Sequence, residues 1–220
     1  MKRMLITRFF GALILLCLIF FLPAGTIWYW QAWVYLLVLF VPVALVVVYL
    51  SKRSPDLLER RMRTKETEPQ QSLITRLGLI SFLIVFVVPG FDRRFAWSSV
   101  PPSLVILADA VVIAGYALVV WVFKENRYAS RVIEVEKGQT VVTTGPYRIV
   151  RHPMYLGTIL MYAFTPLALG SYWAVIPAVG LMVPVLVARI KNEEEVLARE
   201  LMGYKEYMAR TRHRLIPGMW

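Results

Sequence analysis

The stretch that decides the fold is residues 9–27, FFGALILLCLIFFLPAGTI, which carries no charged side chain. A helix needs about 20 mainly apolar residues to cross a hydrocarbon core about 30 Å thick. Residues 9–27 meet that requirement, and the pattern recurs along the chain. Ala32–Leu50 repeats it after the turn-like Trp28-Tyr29-Trp30-Gln31. Leu73–Pro89 is slightly short and has Arg76 near its start, where a long side chain can snorkel to the headgroups. Pro101–Phe123 is the fourth run and holds one ionisable residue, Asp109. Met154–Ala188 is too long for one span, and Gly170-Ser171 near its middle predicts a tight hairpin of two short spans. These runs predict an all-α integral membrane protein of about six transmembrane helices, the last two forming a helical hairpin. Lys2, Arg3 and Arg8 precede the first run as in a secretory signal. The apolar stretch exceeds the roughly 7–15 residues of a signal core, and Pro23-Ala24-Gly25 is a weak cleavage site, so the reading is a retained first helix.

Composition agrees. The chain has 220 residues, 58% of them hydrophobic, with 25 Lys and Arg against 14 Asp and Glu. Mean hydropathy is +0.59. Soluble domains run to only about 45–50% apolar. The single cysteine, Cys17, excludes an internal disulfide framework, and two histidines cannot assemble a Cys/His zinc site. The net charge of +11 would suit a nucleic-acid binder, but its distribution says otherwise. The N-terminus carries 3 basic residues, loop Ser51–Ser72 carries 6, loop Lys124–Pro153 carries 6 and the tail from Arg189 carries 7. Only Arg93 and Arg94 fall on the opposite side. The positive-inside rule then places both termini and both large loops in the cytoplasm. The basic excess becomes a topology signal and an attraction to anionic headgroups, with no nucleic-acid partner implied.

Two polar segments are large enough for a site: Lys124–Pro153 and Arg189–Trp220. In the first, Arg131–Val135 alternates, Lys137-Gly138 is turn chemistry and Gln139–Thr143 returns, the pattern of a small hairpin. Gly145-Pro146-Tyr147 and Arg151-His152-Pro153-Met154-Tyr155 follow, with Gly157 just beyond. Pro153 presets a first helical turn, which leaves His152 at its N-cap, where exposed N–H groups and the helix dipole favour an anionic group. Gly157 would let a ligand or a neighbouring helix approach closely. In the second segment Arg189 and Glu193 are four residues apart on one helical face, where the last helix leaves the bilayer. A guanidinium can hold a carboxylate there, and a carboxylate can hold an ammonium. Each of these residues also has a plain structural reading: a capping histidine, a solvated acidic run at Glu193-Glu194-Glu195, and an interfacial belt of Trp28, Trp30, Trp33 and Trp97. Asp109 is a candidate because an intramembrane carboxylate is expensive.

The joint pattern of Gly145-Pro146-Tyr147, Arg151-His152-Pro153-Met154-Tyr155, Glu193-Glu194, Tyr207 and Pro217 resembles the isoprenylcysteine carboxyl methyltransferases and, more distantly, the phospholipid N-methyltransferases. The resemblance covers roughly residues 101–220. It implies a methyltransferase core there, with residues 1–100 supplying N-terminal transmembrane helices and a cytoplasmic loop. It also implies S-adenosyl-L-methionine as cofactor. By position, the resemblance carries cofactor binding to Gln139, Thr140, Val141, Val142, Tyr147, His152, Pro153, Met154, Tyr155 and Glu193. Arg189 falls on the arginine that orients a substrate carboxylate. Gln139 stands where the family has histidine, and Leu201–Tyr207 holds one residue more than the usual Phe-Gly-x-x-Tyr spacing. Aligned on the glycine instead, Glu194 becomes the cofactor ligand and Ile190 takes the arginine's place. The implied activity is methyl transfer to a lipophilic carboxylate, from a small molecule or a prenylated chain, that enters from the membrane lipids. Two alternatives remain: methylation of a phospholipid amine, and reduction with NADPH. The membrane sterol reductases share an Arg-His-Pro-x-Tyr-x-Gly sequence but commonly follow it with an acid, where this chain has Thr158.

Overall fold

The computed structural model describes the backbone of residues 2–62 and 69–220 and the side chains of residues 3–62 and 73–220; Arg63 and Lys65 of the basic loop lie outside them. Its order is α1 (Lys2–Ala24), α2 (Trp30–Arg53), α3 (Pro55–Met62), α4 (Pro69–Phe95), α5 (Pro102–Glu125), a 3-10 turn (Gly145–Arg148), α6 (Pro153–Ala168), α7 (Val175–Pro177), a π-turn (Ala178–Met182), α8 (Val183–Glu200) and α9 (Tyr204–Arg210). Among the described residues there is no strand. Among the described residues five helices are long and apolar enough to cross a membrane, the last being the continuous rod Val175–Glu200. The chain is therefore an all-α, multi-pass membrane protein.

Two expectations change. The anticipated sixth span is α6, at 16 residues too short to count beside the other five. Its hairpin partner does follow: Gly170 takes φ +73 and the chain turns back at Val175. Within the returning rod, Pro184 has no N–H to offer Gly180, and the ladder widens into the π-turn at this point. The hairpin expected over residues 131–143 does not form a ladder. Gln139 folds back instead, its backbone N–H donating to the Glu136 carbonyl at 3.0 Å and its side-chain Oε1 accepting the Glu136 N–H at 2.9 Å.

Outer faces are apolar and bare. Leu22 is 69% exposed, Leu37 65%, Leu45 66% and Ile106 62%, a surface suited to hydrocarbon and not to water. Inside, Phe20, Tyr35 and Phe86 are fully buried, with Phe20 and Phe86 stacked at 5.8 Å. Within the spans two buried tyrosine hydroxyls find partners, as lipid offers none: Tyr35 shares a 2.6 Å hydrogen bond with Thr165, and Tyr29 donates to the Leu169 carbonyl. At one end of the bundle, buried Asp92 accepts the N–H and hydroxyl of Ser98, both at 2.7 Å, and the hydroxyl of Ser171. Arg93 reaches the Trp28 carbonyl at this same end. At the other end lie Arg8, which donates to the Met62 carbonyl, α3, the 126–152 segment and the tail. The basic loops thus gather at one end.

The tightest helix pair is α5 against α6, and glycine permits it. A Cβ on Gly115 would sit 2.7 Å from the Gly157 carbonyl oxygen, and one on Gly157 would sit 2.8 Å from that of Gly115. Backbone therefore meets backbone, as small residues allow in membranes. Gly115→Ala and Gly157→Ala should each lower stability by about 1–3 kcal/mol, as overpacking does. Gly11→Ala, with nothing within 4 Å, should leave the melting temperature in detergent unchanged.

Candidate active site

The 126–152 segment, the first turn of α6, the end of α8 and α9 enclose one pocket of about 120 Å³. Its walls are built by local chemistry. Asn126 ends α5, its Oδ1 accepting the Tyr128 N–H at 2.9 Å while its Nδ2 donates to the Tyr147 hydroxyl at 2.9 Å. Gly145 adopts φ +55, and the Glu125 carboxyl fills the space a Cβ would need, 2.6 Å away. Thr144 donates to that same carboxyl at 2.7 Å, which seats the 3-10 turn carrying Tyr147. Burial, reinforced by Glu193 and Tyr207, holds the Tyr147 phenol above the usual range, so it stays protonated. Tyr207 in turn donates to the Tyr147 carbonyl at 2.8 Å.

Beneath the pocket lies an ion cluster around Glu194, which is 4% exposed. Its Oε1 accepts Arg151 Nε at 2.6 Å and stands 3.1 Å from His152 Nε2, while its Oε2 accepts Arg214 Nε at 2.7 Å. Arg151 also donates to the Thr211 and Arg212 carbonyls, both at 2.8 Å. The backbone N–H groups of Arg151 and His152 donate to His213 and Arg214, both at 2.9 Å. The C-terminal tail is thus pinned beside the N-terminus of α6. His152 is the N-cap residue of that helix, but its side chain makes no capping bond.

One residue away, Glu193 turns into the pocket. Tyr155 donates to Glu193 Oε2 at 2.6 Å and accepts Arg189 Nε at 3.0 Å. Arg189 also donates to the Arg131 carbonyl at 2.7 Å and the Thr75 hydroxyl at 3.3 Å. One phenol therefore links a carboxylate to a guanidinium within a single cavity.

Of the residues singled out from the sequence, Gln139, Thr140, Val141, Val142, Tyr147, His152, Pro153, Met154, Tyr155, Arg189 and Glu193 all line this pocket. Glu194 does not, being turned under the floor toward Arg151 and Arg214. Gly157 meets α5 and not a ligand. Asp109, in α5, is 5% exposed with neither oxygen hydrogen-bonded among the described residues. Sequence reasoning did not single out Tyr204, which lines the pocket and is 4% exposed, its hydroxyl without a partner among the described residues. A signal existed, since Tyr204 and Tyr207 are three residues apart on one face of α9. It also passed over Arg214 and α3, whose Arg60 pairs with Glu136 at 2.6 Å across the loop.

Residues 103–202, from the first turn of α5 to the turn after α8, match the phospholipid methyltransferase family. The match indicates a membrane methyltransferase and covers most of the pocket, leaving α9 and the tail outside. No curated protein matches the chain.

The two neighbouring glutamates should separate on substitution. Glu194→Gln leaves buried guanidinium groups short of charge and should cost about 3–5 kcal/mol, the range for breaking a buried pair. Glu193→Gln should leave the melting temperature within 1–2 °C, about what a change of a few tenths of a kcal/mol produces. Thermal unfolding of the two variants in detergent measures the difference.

Proposed function

We propose that this pocket binds S-adenosyl-L-methionine and that the protein methylates a lipophilic carboxylate presented from the bilayer. The observation that carries the reading is the Glu193–Tyr155–Arg189 chain, which presents one negative and one positive group to a common cavity. Three features fit the cofactor. Glu193 is a carboxylate suited to an ammonium, and the buried Tyr204 hydroxyl has no partner among the described residues. The stretch Thr140–Val142 lines the wall with backbone groups that make no backbone hydrogen bond among the described residues, leaving donors and acceptors for the edge of a base. The family match to residues 103–202 supports methyl transfer.

When bound, the cofactor supplies an electrophilic methyl group on a sulfonium. Glu193 would hold its ammonium, with Tyr155 fixing the carboxylate rotamer. Arg189 would align the acceptor carboxylate through a charge-assisted pair without protonating it. An ionised carboxylate needs no general base, so the residues act by positioning two reactants in line. The basic end of the bundle faces the cytoplasm in this reading, where the cofactor is available.

The match to the phospholipid methyltransferase family supports a second acceptor, the amine of a phospholipid. The two differ in product chemistry. Membranes containing the protein, incubated with methyl-labelled S-adenosylmethionine, should yield lipid-soluble label released as methanol by mild alkali. Label that survives alkali would mark an N-methyl product and overturn the carboxylate assignment. Glu193→Gln should weaken cofactor binding at least 10-fold in calorimetry with folding retained.

A further inference from the structure

A second cavity, of about 560 Å³, runs between α2 and α5 and shares no lining residue with the candidate active site. Gly115, Leu118 and Val119 are the α5 residues that meet Gly157 of α6. Ile113, Ala117, Val120 and Lys124, which line the cavity, fall on the opposite side of the same helix. On α2 its wall is Pro42, Leu45, Val46 and Tyr49. Leu45, Tyr49, Ile113 and Trp121 are exposed, so the cavity is a groove open to the surrounding hydrocarbon.

Its position along the helices matches one leaflet. Pro42 and Ile113 lie at the middles of α2 and α5, and Pro42 removes a hydrogen bond from the α2 ladder there. From Ile113 to Lys124 the helix rises about 16 Å at 1.5 Å per residue, roughly half of a hydrocarbon core about 30 Å thick. The groove therefore begins near the bilayer midplane and ends at the basic end of the bundle. The bilayer core holds no water to fill an apolar slot, so an acyl chain fills it.

Three cations stand where its walls end. Lys124 lines the groove, and α2 finishes in Lys52 and Arg53, with Arg53 four residues past Tyr49 on the same helical stripe. All three side chains are exposed, and among the described residues none makes an ion pair. Apolar for the depth of one leaflet and cationic where the headgroups of that leaflet lie, the groove complements an anionic phospholipid.

We propose that the α2–α5 groove binds an anionic phospholipid of the bilayer, one acyl chain lying in the groove and the phosphate held by Lys124, Lys52 and Arg53. This lipid is bound apart from the pocket and is not the methyl acceptor, so the assignment stands independently of the methyl-transfer reading. By bridging α2 to the end of α5, it braces the helix whose Glu125 and Asn126 seat the pocket wall.

Trp121 in the groove serves as the reporter, because bromine quenches a tryptophan it touches. The full-length protein is placed in nanodiscs of mixed phosphatidylglycerol and phosphatidylcholine, with the acyl chains of one or the other brominated. Subtracting the signal of Trp121→Phe isolates the groove. Native protein should favour phosphatidylglycerol there by at least about 5-fold, the effect of one cation near a lipid surface. Lys52→Gln, Arg53→Gln and Lys124→Gln together should bring the two lipids to parity. Lys205→Gln, which removes an exposed cation on α9, should leave the preference unchanged. Ala117→Phe, which fills the groove, should remove it. Equal quenching by both lipids in the native protein overturns the proposal. Loss of the preference in Lys205→Gln does so too, since it marks a diffuse field of the basic end, as does its retention in Ala117→Phe.

Discussion

The Glu194 carboxylate is the constraint on which the site depends. A buried charge costs several kcal/mol unless it is paired and its lone pairs are filled. Here both oxygens are taken, one by Arg151 and His152 and the other by Arg214. Those partners come from the approach to α6 and from the tail, so one side chain of α8 ties three stretches of chain together. Two backbone bonds from Arg151 and His152 to the tail run alongside it. The result is a floor that cannot shift without exposing or orphaning a charge. Above it, α6 begins at Pro153, and its first turn delivers Met154 and Tyr155 to the cavity.

This explains why two adjacent glutamates have different roles. Consecutive residues on a helix point about 100° apart, so only one can face the cluster. Glu194 meets Arg151 and Arg214, which leaves Glu193 directed at Tyr155. From the sequence the two were interchangeable by a shift of alignment. What decides between them are partners 43 and 20 residues away, which no local pattern reports.

The transmembrane architecture was legible because lipid imposes a simple rule, a run of about 20 apolar residues per crossing. The rule failed where packing replaces length, at α6, which spans only 16 residues and meets α5 backbone to backbone. The pocket's first wall was legible too, since Gln139–Val142 and Tyr147–Tyr155 form compact motifs. The alternation over 131–143 misled, because the segment runs along the pocket without a ladder, and residues 131–134 and 139–142 all line it. Val141 packs near Leu201 and Tyr204 of the C-terminal segment, and the backbone beside it stays unpaired. Tyr204 and Arg214 escaped notice for a shared reason: each acquires meaning only from a distant element, the loop in one case and Glu194 in the other.

The packing in the bilayer and the chemistry outside it are therefore mechanically one. Gly157 lies two residues after Tyr155, and its contact with Gly115 fixes how far α6 stands along α5. At the top of α5, Glu125 and Asn126 seat Gly145 and Tyr147, the opposite wall of the same pocket. The separation between Tyr147 and Tyr155 is thus set at two places, by a glycine crossing in lipid and by a carboxylate and an amide at the surface. A reaction that works by aligning two bound groups gains from such a frame, because a misplacement of about 1 Å can cost a hundredfold in rate. The 126–142 segment completes the enclosure. That segment lies over the cavity, held by Arg60 and Arg61 from α3 and by Arg189 from α8.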